Sequence, residues 1–265
     1  AYPLQMLLIA FAAGTAVGVN SFVSRKLGEK NFVQANDGAT HGLVTCIFNY
    51  VIFLLLGLFA VRPFMAMYTQ NEAIVNYGIQ YLTVVLCFSF FSIVQIMVEK
   101  TLQATGNMIA PMWFQIAGVV FNFVFDPLLI FGIGPFPKMG VVGAAVATVL
   151  GYVVSTIIAL IQLFLTKQKV KPVFKNCLEP QMIKLIFSYG LPSFVMNALG
   201  AFTVNFANMF LVRYSDTAVA FFGAYFKVQQ LIFMTVNGLI QGCLPIMRFN
   251  YSCLLYTSDA ADEAR

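Results

Sequence analysis

Residues 109–133 read IAPMWFQIAGVVFNFVFDPLLIFGI, a run of 25 residues in which Asp126 is the one charged side chain. About 20 predominantly apolar residues are enough for an α-helix to cross roughly 30 Å of hydrocarbon. The run is too long and too continuous for a membrane β-strand, which would alternate over about 10 residues. This stretch therefore predicts a membrane-spanning helix that carries a carboxylate within its length.

Six other stretches have the same apolar character and a similar length. The seven predicted spans are 3–24, 43–61, 78–98, 109–133, 140–165, 184–212 and 217–247. Of the 265 residues, 60% are hydrophobic and 9% are charged, whereas soluble domains carry about 25% charged residues. We therefore predict an all-α integral membrane protein, a polytopic helical bundle with seven spans.

The lysines and arginines divide the connectors between these spans into two groups, and basic residues favour the cytoplasmic side. Nine follow the first, third and fifth spans: Arg25, Lys26, Lys30, Lys100, Lys167, Lys169, Lys171, Lys175 and Lys184. The other connectors contain only Arg62, Lys138 and Arg213. We infer that the first group of connectors is cytoplasmic, and that the polar segment 166–183 is a cytoplasmic linker between two helical bundles.

Both ends of the sequence suggest a fragment of a longer protein. The chain begins at Ala1 inside an apolar run, and the residues from Cys253 to Glu263, CLLYTSDAADE, do not continue the preceding pattern. They resemble the translation of a transposase-type sequencing adaptor. Because processing scars are excluded from fold reasoning, we interpret 252–265 as an adaptor-derived tail.

A seven-helix receptor or rhodopsin is an alternative to a transporter. A rhodopsin needs a lysine in the middle of its last span to hold retinal, whereas Lys227 lies nearer the start of that span. The sequence also contains no nucleotide-binding loop, catalytic triad or metal-ligand spacing, and its five cysteines are scattered. We therefore expect no enzyme activity, no cofactor and no nucleic-acid partner.

Asp126 is the strongest candidate for a functional residue, because an ionisable group inside a membrane costs roughly 2.5–3.5 kcal/mol and marks a pathway or binding site by default. Asn122 lies four residues earlier, on the same helix face. Pro127 lacks an amide hydrogen and clashes with the Phe123 carbonyl, so the helix should kink and free a backbone acceptor.

A carboxylate, an amide oxygen and a spare carbonyl are hard oxygen ligands that suit a small cation such as Na⁺. Burial instead favours the neutral form of a carboxyl group, which would make Asp126 a proton carrier. Na⁺ and H⁺ both stay open at this point, and a hydrogen bond that only packs helices together is the structural alternative.

Two pairs of glycines echo each other along the chain. Gly14 and Gly18 near the end of the first span resemble Gly238 and Gly242 in the seventh, and each pair precedes a basic exit from the span. Such pairs let helices approach closely, so packing alone explains them. Their separation by six helices, with the polar linker between, also fits the repeated halves of which many transporters are built.

Other polar residues carry weaker indications. Four amide side chains in the last two spans are candidates for lining a central cavity, although interhelical hydrogen bonding is the commoner role. They are Asn205, Asn208, Gln229 and Gln230. We interpret the Glu99–Lys100 pair, at a predicted cytoplasmic helix end, as an interfacial anchor and the lone His41 as a structural residue.

Five segments, taken in order, resemble the multidrug and toxic compound extrusion (MATE) family of transporters. They are VSRKLGEKNFVQA at 23–35, EKTLQATGNMIAPM at 99–112, NFVFDPLLIFG at 122–132, GVVGAAVATVLGY at 140–152 and KVQQLIFMTVNGLIQGCLPIMRFNY at 227–251. The resemblance covers about 1–251 and implies helices two to eight of a twelve-helix, two-lobe transporter. Residues 1–165 would then form most of the N-terminal lobe, and 184–251 the first two helices of the C-terminal lobe.

The resemblance also implies site residues and a function. Asn122 and Asp126 match the family's cation-site asparagine and aspartate, and Thr148 matches its sixth-helix threonine. The family's functional aspartate on the first helix has no counterpart in this sequence. The implied function is export of organic, cationic drugs or toxic compounds in exchange for Na⁺ or H⁺. The implied protein is a monomer in contact with membrane lipids, in the multi-pass plasma membrane of a bacterium.

Two alternatives remain beside export. A lipid-linked oligosaccharide flippase of the same superfamily should expose cations in its cavity to meet pyrophosphate, and Lys227 and Arg248 are the chief candidates. A membrane protein that transports nothing predicts that Asp126 tolerates an apolar replacement.

Overall fold

The computed structural model describes residues 2–68, 72–165, 170–173, 179–211 and 216–252. Its helices are α1 (Tyr2–Gly28), α2 (Phe32–Leu55), α3 (Val61–Tyr68), α4 (Glu72–Cys87), α5 (Ser89–Ala104), α6 (Ile109–Phe131), α7 (Val141–Leu165), α8 (Pro180–Leu211) and α9 (Asp216–Ser252). One π-helical turn, Leu56–Ala60, joins α2 to α3. These residues contain no strand, so the prediction of an all-α fold is confirmed.

The helices agree with the number of predicted membrane spans. Among the described residues, six helices are long and apolar enough to cross a membrane, and a bent pair brings the number to seven. That pair is α4 with α5, which meet at an angle of 49° around Phe88. The predicted span 78–98 is therefore broken near its middle, because Phe88 leaves the helical region at φ −102° and ψ 16°.

The second helix begins earlier than the predicted span 43–61. It starts at Phe32, where the Asn31 side chain accepts a hydrogen bond from the Gln34 amide at 3.1 Å and caps the first turn. Its first turns bury small residues such as Ala35, Gly38 and Ala39. The polar segment expected to be a connector is thus helical, because its small residues pack against the rest of the bundle.

Helices α1 and α8 cross with their backbones in contact. A Cβ atom on Gly18 would overlap the Ile186 carbonyl oxygen, and one on Gly190 would overlap the Gly14 carbonyl oxygen. The small residues of α1 therefore serve helix packing. In contrast, no described atom lies within 4 Å of the position that a Cβ would take on Gly238 or on Gly242. Within the described residues, the second glycine pair therefore makes no such close contact.

The linker between the predicted lobes is tied to the start of α2. Residues 170–173 and Glu179 belong to it, while 166–169 and 174–178 lie outside the described residues. The hydrogen bonds run from Lys171 N to Asn36 Oδ1 (3.0 Å), from Val173 N to Thr40 Oγ1 (2.9 Å) and from Glu179 N to His41 Nε2 (2.9 Å). His41 is therefore buried beneath the linker and serves as one of its anchors.

The buried core lies mainly between α1, α2 and α5. Its members include Val19 and Val23 of α1 and Ile93, Met97 and Val98 of α5. The outer faces of α6, α8 and α9 instead expose many large apolar side chains. Such surfaces suit hydrocarbon, since in a membrane the backbone groups are satisfied within each helix while the side chains face lipid.

Candidate cation site and cytoplasmic cluster

Asn122 and Asp126 face each other on α6, as their spacing predicts. With its amide nitrogen turned toward the carboxylate, Asn122 donates to Asp126 Oδ1 at 3.0 Å and to Oδ2 at 3.1 Å. This orientation is the one that gives the amide nitrogen an acceptor, which is how such amides are assigned. Both residues are half-buried. Along the described chain, Asn122 is the one hydrogen-bonding partner of this carboxylate.

Helix α7 packs closely behind Asn122. The position of a Cβ on Gly151 lies 3.4 Å from the Asn122 Cβ, and a Cβ on Gly118 would overlap the Ser155 hydroxyl. That hydroxyl donates to the Phe114 carbonyl oxygen at 2.8 Å. The glycines and the hydrogen bond bring the two helices together, so the Asn122 side chain is held between the α7 backbone and Asp126.

Aromatic rings line α6 beside the carboxylate. The Phe121 and Phe125 rings stack with centroids 4.1 Å apart, and Phe136 packs edge-on against Phe125 at 6.1 Å. The helix runs through Pro127 and ends at Gly132, which adopts φ +71°. Pro127 has no amide hydrogen to give the Phe123 carbonyl, so that oxygen lacks its usual helical partner. The kink at Pro127 stays a prediction.

Thr148 is engaged elsewhere in this structure. Its hydroxyl donates to the Ala144 carbonyl oxygen of its own helix at 2.9 Å. Within the described ranges no hydrogen bond joins it to Asn122 or Asp126. The structure therefore brings two of the three predicted cation-site residues together, and the role of Thr148 stays a prediction.

The four candidate cavity residues are only partly described. Gln229 is half-buried and Gln230 exposed on α9. The side chains of Asn205 and Asn208, like that of Lys227, lie outside the described residues. That these amide side chains line a central cavity stays a prediction.

A second polar site lies at the end of α5 that the sequence predicts to be cytoplasmic, where the sequence suggests only an interfacial anchor at Glu99 and Lys100. That interpretation is wrong for Lys100, which is 9% exposed and buried among amide side chains. Its ammonium group donates to Gln103 Oε1 at 2.9 Å, to Gln241 Oε1 of α9, and to Glu99 Oε1 at 3.3 Å.

The same cluster satisfies Glu99 and ties three further helices together. Glu99 accepts hydrogen bonds from Gln103 Nε2 at 3.0 Å and from Gln115 Nε2 of α6 at 2.6 Å. Asn20 of α1 donates to the Lys100 carbonyl oxygen at 2.7 Å and accepts from Arg248 Nη1 of α9 at 2.7 Å. We call this group the cytoplasmic cluster; it consists of Asn20, Glu99, Lys100, Gln103, Gln115, Gln241 and Arg248.

The sequence contains one local signal for this cluster. Glu99 and Gln103 are four residues apart and so lie on one face of a helix. Asn20 and Arg248, in contrast, meet across 228 positions, and no local pattern could pair them.

Comparisons with known proteins agree with this architecture. Residues 1–128 match the family model described as MatE. Multidrug export protein MepA of Staphylococcus saprophyticus subsp. saprophyticus is 27% identical over 251 residues, which make up 94% of this chain and 54% of that protein. The chain thus spans about half the length of the curated relatives it matches.

Two solved structures of multidrug resistance MATE family transporters of the MOP superfamily differ in how well they superpose. An outward-facing conformation, 24% identical, gives a TM-score of 0.84 over 95% of this chain and 56% of the other. An inward-facing conformation, 25% identical, gives 0.74 over 99% of this chain and 57% of the other. The described helices therefore resemble the outward-facing arrangement more closely.

Proposed function

We propose that this chain belongs to the multidrug and toxic compound extrusion family, whose MatE model matches residues 1–128, and that it forms part of a secondary active transporter that exports small organic compounds. Inward flow of Na⁺ or H⁺ would drive that export. The observation that carries the proposal is the contact between Asn122 and Asp126 inside a membrane-spanning helix. A carboxylate at that depth persists mainly where it serves transport or binding.

The geometry suggests how the pair would bind a cation. With the Asn122 amide assigned in this way, its nitrogen donates to both carboxylate oxygens. A half-turn of the amide would instead present its oxygen beside the carboxylate and the Phe123 carbonyl, which together form a hard ligand set for Na⁺. A proton would need no such turn, because it would neutralise the carboxylate directly.

Coupling requires that the cation bind two arrangements of the lobes unequally. The cytoplasmic cluster supports a closed cytoplasmic side, since it joins α1 and α5 of the proposed N-terminal lobe to α9 of the C-terminal lobe. The closer likeness to an outward-facing structure points the same way. We propose that opening toward the cytoplasm breaks this cluster, and that occupancy of Asp126 shifts the balance between the two arrangements.

The exported compound would be an organic cation that contacts aromatic rings. The stacked Phe121 and Phe125 beside Asp126 provide ring faces of the kind that attract cations by about 0.5–2 kcal/mol. The flippase alternative is not favoured, because the relatives that this chain resembles are multidrug export proteins. Arg248, one of the two cations on which that alternative depends, is hydrogen-bonded to Asn20 in the cytoplasmic cluster.

The test is efflux of a fluorescent organic cation from proteoliposomes that hold a full-length transporter containing this chain. Either a Na⁺ or a pH gradient is imposed, which identifies the coupling ion. We expect Asp126→Asn to lower gradient-driven efflux at least about tenfold and Asp126→Glu to retain part of it. Glu179→Gln, an exposed acid on the linker, is the matched control. Unimpaired gradient-driven efflux by Asp126→Asn would refute the assignment.

A further inference from the structure

A cavity of about 480 Å³ lies between the cytoplasmic ends of α1, α8 and α9, away from the Asp126 site. Its walls come from all three helices: Ser21 and Arg25 of α1, Tyr189 of α8, and Leu244, Met247, Arg248 and Tyr251 of α9. The distribution of lysines and arginines places these helix ends on the cytoplasmic side. The cavity therefore lies where the inner leaflet meets the cytosol.

Two guanidinium groups stand in the wall of this cavity, and none of the described residues that line it is an acid. Arg25 donates to the Tyr189 hydroxyl at 3.1 Å, and Arg248 donates to Asn20 at 2.7 Å. A guanidinium carries five N–H donors in a fixed fork, so it can be held by a neighbour and still bind a ligand. These bonds orient both arginines at the site.

The one acid near the cavity does not cancel this positive charge. Glu29 lies 3.3 Å from the Arg25 Nε, but it also pairs with the Lys26 ammonium at 2.7 Å. Among the described residues, this one carboxylate is therefore shared by two cations and cannot neutralise both. The site should attract an anion, and arginine forks match the geometry of phosphate.

Apart from Ser21, the rest of the wall is apolar or aromatic, which a free phosphate ion would not need. Leu244 and Met247 line it together with the rings of Tyr189 and Tyr251. Tyrosine is enriched at the level of lipid headgroups, where one end of the side chain is apolar and the other is wet. A ligand that satisfies both halves of this wall carries a phosphate and a hydrocarbon chain.

We propose that this cavity binds an anionic phospholipid of the cytoplasmic leaflet, with its phosphate between Arg25 and Arg248 and its acyl chain along Leu244 and Met247. Basic pockets between transmembrane helices on this side of a membrane are known to hold such headgroups. The lipid would contact α1, α8 and α9 at once and so connect the two proposed lobes beside the cytoplasmic cluster. This inference does not depend on the cation site or on the exported compound.

The experiment measures binding of phosphatidylglycerol to the purified full-length transporter in a nonionic detergent, by native mass spectrometry. Phosphatidylcholine with the same acyl chains and inorganic phosphate are the comparison ligands. We expect phosphatidylglycerol to bind at least about tenfold more tightly than phosphatidylcholine, and millimolar inorganic phosphate to leave it bound. Equal binding of the two lipids would overturn the proposal, and displacement by inorganic phosphate would reduce the cavity to a simple anion site.

Three variants locate the binding within the protein. Arg25→Gln should weaken phosphatidylglycerol binding about tenfold, and Leu244→Trp should weaken it by filling the cavity without changing its charge. Lys171→Gln, which removes an exposed cation of the cytoplasmic linker, should leave binding unchanged. Arg25 is used in preference to Arg248 because its partners Glu29 and Tyr189 lie at the surface, and thermal unfolding confirms that each variant is folded. Equal binding by Arg25→Gln and Lys171→Gln would overturn the proposal.

Discussion

Glu99 and Asp126 are both carboxylates on membrane-spanning helices, yet their surroundings differ. Glu99 is bonded by Lys100, Gln103 and Gln115 within the cytoplasmic cluster, whereas Asp126 has the single amide of Asn122. An ionised carboxylate can accept about four hydrogen bonds. Glu99 is therefore nearly saturated by its own protein, and Asp126 keeps acceptor capacity that a cation can use. The number of partners, more than the depth in the membrane, separates a carboxylate that stabilises the fold from one suited to transport.

The strongest test of this comparison truncates both carboxylates in the same way. Glu99→Ala should lower the free energy of unfolding by about 3 kcal/mol, because breaking a buried, hydrogen-bonded charge pair leaves Lys100 undercompensated. Asp126→Ala should lower it by about 1 kcal/mol or less, since one hydrogen bond is lost at a half-buried site, and should abolish gradient-driven efflux. Thermal unfolding in detergent and proteoliposome efflux measure the two effects. Equal loss of stability in both variants would contradict the comparison.

A second test removes the bridge between the helices of the cytoplasmic cluster. Asn20→Leu keeps the number of side-chain heavy atoms and their branching but leaves the Lys100 carbonyl and Arg248 without this partner, so we expect a loss of about 2 kcal/mol in the free energy of unfolding. Asn197→Leu is the matched control, because Asn197 is exposed on α8 and donates to the Ser193 carbonyl of its own helix. If both variants unfolded at the same temperature, the bridge would contribute nothing.

A third test sharpens the role of the amide at the cation site. Asn122→Leu removes the donor to Asp126, so the pH dependence of gradient-driven efflux should shift if H⁺ is the coupling ion. If Na⁺ is the coupling ion, the same variant loses an oxygen ligand and half-saturation should need about tenfold more Na⁺. Initial efflux rates at graded pH and graded Na⁺ distinguish the two. Asn76→Leu, at an exposed position on α4, controls for the substitution itself, and an unchanged ion dependence in Asn122→Leu would remove Asn122 from the site.

The smallest effect is expected at a third carboxylate, Glu29, outside the membrane. The hydrogen bond from Lys26, opposed by some desolvation, lowers the pKa of Glu29 below its ordinary value. A lowered pKa in the folded state contributes stability above the unfolded value, near 4.3, and that contribution is lost as the pH falls below it. The midpoint temperature of thermal unfolding should therefore decrease slightly as the pH is lowered below about 4. Glu29→Gln should make that midpoint less dependent on pH. A dependence that persists in Glu29→Gln would assign it to other acids.

Much of the fold follows from local patterns in the sequence. The apolar lengths of α6 and α7 predict spans that the structure contains, and the four-residue spacing predicts the contact of Asn122 with Asp126. The break at Phe88 was not predictable, because the apolar pattern continues through it. The start of α2 at Phe32 was not predicted either. Polar residues in the first turns of α2 form hydrogen bonds with a linker more than 130 positions away, and no local pattern in the sequence shows such partners.

The cytoplasmic cluster shows the same limit more sharply. Glu99 and Lys100 resemble an ordinary interfacial pair in the sequence, since nothing near them indicates burial. Asn20 and Gln241 reach Lys100 from distant helices, and Arg248 in turn binds Asn20. Depth in a membrane can be inferred from apolar length, but the partners of a charge are a tertiary property.

The backbone contact between α1 and α8 has a mechanical consequence. Gly18 and Gly190 present no side chains at the crossing, so the two backbones meet there directly, while the Phe11 and Phe194 rings pack together further along the same two helices. The two helices can rotate relative to each other about this backbone contact. Separation of the helices on one side of the contact then brings them together on the other. A bulky residue at Gly18 would block that rotation, although Gly18 lies on a different helix from Asp126, the proposed ion-binding carboxylate.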